Sequence, residues 1–182
     1  MTTAIGTHDK EGSDAELMEQ RINYGKAAPE GIRALGGLET YLRSSGLEPG
    51  LLNLIKTRAS QLNGCAYCLD MHTKDARAGG ETEQRLYALP AWRATPFYTD
   101  RERVALAWTE AVTLIGQGPV ADTLYEEARR HFSERELVDL TLALVAINGW
   151  NRLSIAFRTV PGTYQPKAPS SAARESRNGV LA

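Results

Sequence analysis

Residues 51–77 read LLNLIKTRASQLNGCAYCLDMHTKDAR, and the rest of the chain is organised around them. They hold both cysteines, Cys65 and Cys68, and one of the three histidines, His72. On an α-helix, steps of three and four residues return to the same face. Cys65 to Cys68 is a step of three and Cys68 to His72 a step of four, so a helix here lines all three side chains along one face. Immediately upstream, Leu51, Leu54, Ile55, Arg58 and Leu62 mark one side of another helix, from about Glu48-Pro49 to Leu62. Asn53, Thr57, Ser60 and Gln61 form a polar strip beside it. Asn63-Gly64 is a turn signal between the two. The cysteine helix then runs from about Cys65 to Ala78 and stops at Gly79-Gly80.

Helical signals repeat on both sides. AAPEGIRALGGLETYLRSSG (27–46) has Pro29 in its first turn, Gly46 at its end, and Ile32, Leu35, Leu38, Tyr41 and Leu42 at helical steps. Its Gly36-Gly37 pair marks a weak spot or the close approach of another helix. GETEQRLYAL is a short helix stopped by Pro90, followed by the connection WRATPFY. Thr99 with Glu102, and Ser133 with Glu136, are capping boxes. They open a helix over DRERVALAWTEAVTLI and the longest helix, about Glu134 to Arg158. Another helix, about Ala121 to Phe132, lies between them. No alternating strand pattern bounded by turns occurs. The expected class is all-α, a multi-helix bundle. The expected organisation is a flexible N-terminus over 1–14, a helical domain over 15–162 and a Pro/Ser-rich tail over 163–182.

The chain has 182 residues and a formal net charge of −1, enough for one substantial core and without the basic excess of a nucleic-acid binder. The apolar region from Leu140 to Phe157 is interrupted by Thr141, Asn148, Asn151, Arg152 and Ser154, which reads as a buried helix rather than a membrane span. MTTAIGTHDKEGSD lacks the apolar run of a signal peptide, so a cytoplasmic location is expected. Two cysteines three residues apart in a cytosolic chain point to redox or metal chemistry rather than a structural staple.

A thiol acts as nucleophile only as thiolate, and a free cysteine is ionised by only a few per cent at neutral pH. Three features here favour ionisation. Cys65 sits in the first turn, where the helix dipole favours negative charge. His72 can take the proton of Cys68 and stabilise its thiolate as imidazolium. Each sulfur can donate a hydrogen bond to the other. A sulfenic acid formed on one is then open to attack by the other, giving a disulfide. Two other readings stand beside this one. In the first, Cys65, Cys68 and His72 are three zinc ligands, completed by His131, His8 or a carboxylate. In the second, they are two inert buried thiols beside a satisfied histidine.

The segment ASQLNGCAYCLDMHTKDARAGGETEQRLYALPAW (59–92), with its C-x-x-C-x-x-x-H pattern, resembles the alkylhydroperoxidase AhpD-like family of the carboxymuconolactone decarboxylase-like fold group. The resemblance runs from about Asn23 to Arg158. It implies an all-helical trimer or hexamer that reduces a hydroperoxide and is regenerated by a lipoyl- or thioredoxin-like dithiol protein; no phosphate-cradling glycine loop, haem or flavin motif occurs in the sequence, so no cofactor is expected. By the same resemblance Cys68 attacks the peroxide, Cys65 resolves the sulfenic acid and His72 belongs to the proton relay. The dipole argument favours Cys65 as the more acidic thiol, and proximity to His72 favours Cys68. The chain departs from the family at two relay positions. Asn53 stands where the family places a glutamate twelve residues before the first cysteine, and Tyr67 where some members place a histidine. The alternative functions are a general disulfide oxidoreductase and a non-catalytic metal-binding or assembly module.

Other residues carry weaker signals. Ser60 can hydrogen-bond into the site or serve the core. Asp75 can orient His72 or form a surface ion pair; Asp70 lies off the reactive face and reads as solvated or salt-bridged. Asn148 and Asn151 share a face and form a core or interface network, or line the pocket near Cys68. His131 near a helix C-terminus, Trp92 and Trp108 read as structural, and His8 as solvated.

An amide at Asn53 cannot accept a proton at neutral pH. Peroxide turnover is therefore expected to be slower, or its pH optimum higher, than with glutamate there. Asn53→Glu should speed turnover or move the optimum down; an unchanged profile between about pH 6 and 9 would count against a relay role for this position.

Overall fold

A computed structural model describes residues 19–166. Among these, eight α-helices form in chain order: α1 (Tyr24–Ala27), α2 (Pro29–Leu42), α3 (Pro49–Asn63), α4 (Ala66–Ala78), α5 (Glu83–Ala88), α6 (Asp100–Thr113), α7 (Asp122–His131) and α8 (Glu134–Ala156). Two short 3₁₀ turns, Leu89–Ala94 and Ile115–Gln117, complete the regular structure, and the described residues contain no strand. The all-α bundle expected from the sequence is what forms. The expected flexible N-terminus, with His8, and the tail beyond 166 lie outside the described residues.

Local chemistry sets the ends of the helices that carry the site. Pro49 opens α3 after Glu48, where a missing N–H costs nothing. Gly64 ends α3 in the left-handed region at φ 69°, a conformation that glycine adopts without strain. The chain reverses there and enters α4 at once. Both capping boxes form: Thr99 and Ser133 each accept from the N–H three residues on, while Glu102 and Glu136 reach back. Each cap contributes about 1 kcal/mol to anchoring its helix.

α3 is the central element, packed against α4, α6 and α8. The main core gathers Leu51, Ile55 and Ala59 of α3 with Leu140, Ala143, Leu144 and Ile147 of α8, and both cysteines belong to it. Ala59, Ala105, Ala143 and Ala146 have no exposed surface, and small residues at such positions let helices approach closely. A smaller cluster of Leu54, Leu89, Trp92, Tyr98 and Leu106 closes the other side of α3.

Several details differ from the sequence reading. The strip beside the apolar side of α3 is partly interior: Thr57 and Ser60 are completely buried. Thr57 satisfies its hydroxyl on its own helix, at the Asn53 carbonyl 2.7 Å away. Arg58, read with the apolar side, pairs with Glu110, which also accepts from the Trp92 indole N–H. The α-helix stops before Pro90 as expected, but a 3₁₀ turn beginning at Leu89 continues the path beyond it. Among the described residues, nothing outside the local helix backbone lies within 4 Å of a Cβ built on Gly36 or Gly37. The closer helix approach is at Gly149 of α8, whose Cβ would meet the Leu35 methyls at 3.7 Å.

Candidate active site

Cys65 is the N-cap of α4 rather than a member of it. Its own N–H donates to the Ser60 carbonyl at 3.0 Å, tying the thiol to the end of α3. Its sulfur accepts the Cys68 backbone N–H at 3.4 Å and lies 2.6 Å from the Cys68 sulfur, to which the Cys65 thiol donates when protonated and from which it accepts once it is a thiolate. Both thiols are free and each is 1% exposed. The Cys68 S–H lowers the Cys65 thiol to about 7, against the opposing effect of burial and with help from the Cys68 backbone N–H. The Ser154 and Asn151 side chains add to this lowering. Cys68 is pushed up, first because its thiol is the donor to Cys65 and then because it is buried. The pair thus shares one negative charge, held at rest on Cys65.

A shelf of amides supports the turn. Asn63 donates to Asn148 at 2.9 Å and to Asn151 at 2.8 Å. Asn151, with no exposed surface, donates to Ser60 at 3.1 Å. Asn148 also donates to Thr113 and to the Leu144 carbonyl. A buried amide without partners costs about 1–3 kcal/mol, so this network locks the α3–α4 turn onto α8.

His72 lies one turn beyond Cys68 and lines a cavity of about 460 Å³ with Cys68, Lys56, Asn53, Tyr67 and Trp150. It is 7% exposed, and its Nδ1 has no hydrogen-bond partner. Burial, and then the nearby Lys56 ammonium, lower it to about 3, so the ring is neutral at physiological pH. Lys56 is held by Glu39 of α2 at 2.5 Å. A second cavity of about 390 Å³ is lined by Cys65 but not Cys68. Tyr67 and Ser154 border both cavities, so each thiol faces its own opening.

The structure brings Cys65, Cys68 and His72 together, with Asn53 and Tyr67 on the cavity wall and Ser60 beneath the turn. His72 makes no hydrogen bond to either thiol, and Asn53 makes none to His72. Asp75 neither orients His72 nor pairs with Lys74 or Arg77; it accepts from the Tyr164 hydroxyl at 2.7 Å. Asp70 is salt-bridged to Lys74 at 2.8 Å. Asn148 and Asn151 belong to the core network. His131 ends α7 and lies 3.3 Å from Glu127. Trp92 and Trp108 are buried, each with its indole N–H satisfied. Among the described residues, no three of His, Cys, Asp and Glu gather as metal ligands, so the zinc reading finds no ligand set there. Sequence reasoning passed over Lys56, Glu39, Trp150 and Tyr164. Lys56 was within reach, one turn past Asn53 on the same helix; the others arrive from distant segments.

Comparison with known proteins places this geometry. Residues 27–111 match the carboxymuconolactone decarboxylase family. The uncharacterized protein YdfG of Bacillus subtilis is 48% identical over 139 residues, 76% of this chain and 95% of YdfG. A crystal structure from Agrobacterium tumefaciens, of a protein of unknown function named as a candidate antioxidant defence protein AhpD, superposes with a TM-score of 0.77. It is 46% identical and matches 80% of this chain and all of that one. An AhpD-core, peroxidase-related protein from Ralstonia eutropha shares the fold at a TM-score of 0.68 and 20% identity, over 76% of this chain and 74% of its own.

The neutral, buried His72 has a measurable consequence. With its folded value near 3 and an ordinary unfolded value of 6.5, the unfolded chain binds a proton in that window that the folded chain refuses. This contribution to stability is intact above about 6.5 and is lost as pH falls toward about 3, by up to about 1.4 kcal/mol per pH unit. Urea unfolding across that range should show a shallower acid decline in His72→Gln than in the parent.

Proposed function

The chain belongs to the AhpD-like carboxymuconolactone decarboxylase family, and we propose that it is a thiol-dependent peroxidase working through a Cys65–Cys68 dithiol–disulfide cycle. The observation that carries this reading is a pair of free thiols with their sulfurs held 2.6 Å apart, one of them lowered to about 7.

The cycle starts from the monoanionic pair. The proton of Cys68 passes across the short contact to Cys65, leaving the thiolate on the sulfur that faces the larger cavity. Cys65, not His72, is the proton acceptor, because burial resists formation of the imidazolium. The Cys68 thiolate attacks the O–O bond of the hydroperoxide. An S–O bond forms, the O–O bond breaks and an alkoxide leaves. Neutral His72 donates a hydrogen bond to the departing oxygen, and the Lys56 ammonium on the same wall favours its negative charge. The alkoxide takes the proton now on Cys65, giving the alcohol. The Cys65 thiolate then attacks the Cys68 sulfenic acid, closing the disulfide and expelling hydroxide, which solvent protonates to water. An external dithiol, lipoyl- or thioredoxin-like, donates two electrons and two protons to restore both thiols. Asn53 and Tyr67 shape the cavity, and Ser60 holds the amide shelf. A cytoplasmic, homo-oligomeric protein, a trimer or hexamer, completes the reading. Among the described residues no helix is long and apolar enough to cross a membrane.

One equivalent of hydrogen peroxide should consume both thiols and leave the 65–68 peptide lighter by two hydrogens. Cys65→Ser, which lacks both the proton acceptor and the resolving thiol, should react far more slowly and stop at a sulfenic acid on Cys68 that dimedone traps, and Cys68→Ser should form no disulfide. Thiols untouched by hydroperoxide but oxidised readily by a disulfide substrate would make the protein a general disulfide oxidoreductase instead.

A further inference from the structure

Residues 157–166, which follow α8, stay against the molecule. Arg158 adopts φ 51° and Gly162 φ 99°, two left-handed residues that turn the backbone back across α4. The returning segment carries no regular secondary structure and is held by polar contacts to α4. Asp70 accepts from the Gly162 N–H at 3.0 Å. Lys74, paired with Asp70, also donates to the Tyr164 carbonyl at 3.0 Å and the Gly162 carbonyl at 3.5 Å. The Tyr164 hydroxyl donates to Asp75 at 2.7 Å. Burial, then this bond to a carboxylate, raise the phenol to about 12, so it remains a donor throughout the physiological range.

The position of this segment matters more than its fastening. Tyr164 is part of the wall of the cavity that holds Cys68 and His72. Thr159, Val160 and Pro161 line the cavity that holds Cys65. One strap therefore borders both approaches to the thiol pair, and its clamps, Asp70, Lys74 and Asp75, stand on the helix that bears Cys68 and His72.

We infer that residues 159–166 form a specificity strap, with Tyr164 as the movable wall that sets the size of molecule admitted to Cys68. With the latches closed, slender reagents and hydroperoxides reach the sulfur and bulky aromatic ones are held out. Opening the latches, or removing the ring, widens the approach. For a hydroperoxide substrate this deepens, and rests on, the peroxidase reading. The effect on access to the thiol does not depend on it.

The test compares thiol alkylation by a small reagent, iodoacetamide, with a bulky one, fluorescein maleimide, with the alkylated cysteine identified by peptide mass spectrometry. In Tyr164→Ala the ratio of bulky to small rates at Cys68 should rise about tenfold or more, the scale on which a pocket wall discriminates by size. Tyr164→Phe, which keeps the ring but loses the Asp75 bond, and Lys74→Met, which frees the strap carbonyls, should each shift the ratio the same way by less. The two milder variants keep the test decisive if the alanine variant folds poorly. A ratio unchanged in all three overturns the inference. In parallel, kcat/KM for cumene hydroperoxide relative to hydrogen peroxide should rise in the same order. A raised alkylation ratio in a protein that turns over no peroxide would sustain the strap and sink the peroxidase. Peroxide turnover with unchanged ratios would do the reverse.

Discussion

A single contact between the Cys65 and Cys68 sulfurs, 2.6 Å apart, with Cys68 the donor once Cys65 is ionised, is the interaction on which the rest of the site depends. It makes one acid of two thiols. Without the donor, burial alone would push both upward and leave a pair of inert hydrophobic residues in a core. With it, and with the Cys68 N–H at the helix start, Cys65 carries charge near neutral pH while only 1% exposed. Cys68 faces the larger cavity and holds the proton that must move before chemistry begins. The separation of roles follows from position. In the proposed cycle the N-cap sulfur stores the charge, and the sulfur one turn on spends it.

That bond needs its two residues held in one geometry, and the bundle provides this through buried polar contacts rather than apolar packing alone. The turn between α3 and α4 is pinned by the Ser60 carbonyl on the Cys65 N–H and by the Asn63, Asn148 and Asn151 amides reaching from α3 to α8. Amides and hydroxyls inside a core are tolerable only when satisfied, and a satisfied network specifies one arrangement where hydrocarbon would accept several. The same low-dielectric setting keeps His72 neutral. It also explains why a lysine is present: Lys56 enters the cavity already compensated by Glu39, so a positive charge is available where an oxyanion would form.

The fold was legible because its signals are local. Two capping boxes, Gly64 after Asn63 and the proline at Pro49 each report on a few neighbouring residues, and each appears in the structure as read. The grouping of Cys65, Cys68 and His72 was equally legible, since helical spacing alone brings the three together. What escaped was long-range. Glu39 is 17 residues from the Lys56 it holds, and Tyr164 is 89 residues from Asp75. No periodicity in the sequence announces such pairs. Thr57 and Ser60 were read as a polar strip because their type is polar; their burial follows from α3 being surrounded, a property of the whole bundle. The expectation that His72 acts as a charged partner of Cys68 came from spacing and could not include the depth at which the ring lies.

The most direct test of the shared proton is the ultraviolet absorbance of thiolate as a function of pH, on the reduced protein and on Cys68→Ala. The account predicts one thiolate per chain appearing with a midpoint close to the value of about 7 held by Cys65, the second thiol staying protonated well beyond it. In Cys68→Ala the midpoint should move up toward or beyond the ordinary value of about 8.5, because the donor is gone and the burial remains. Two thiols titrating together near that ordinary value, with no change in Cys68→Ala, would contradict it.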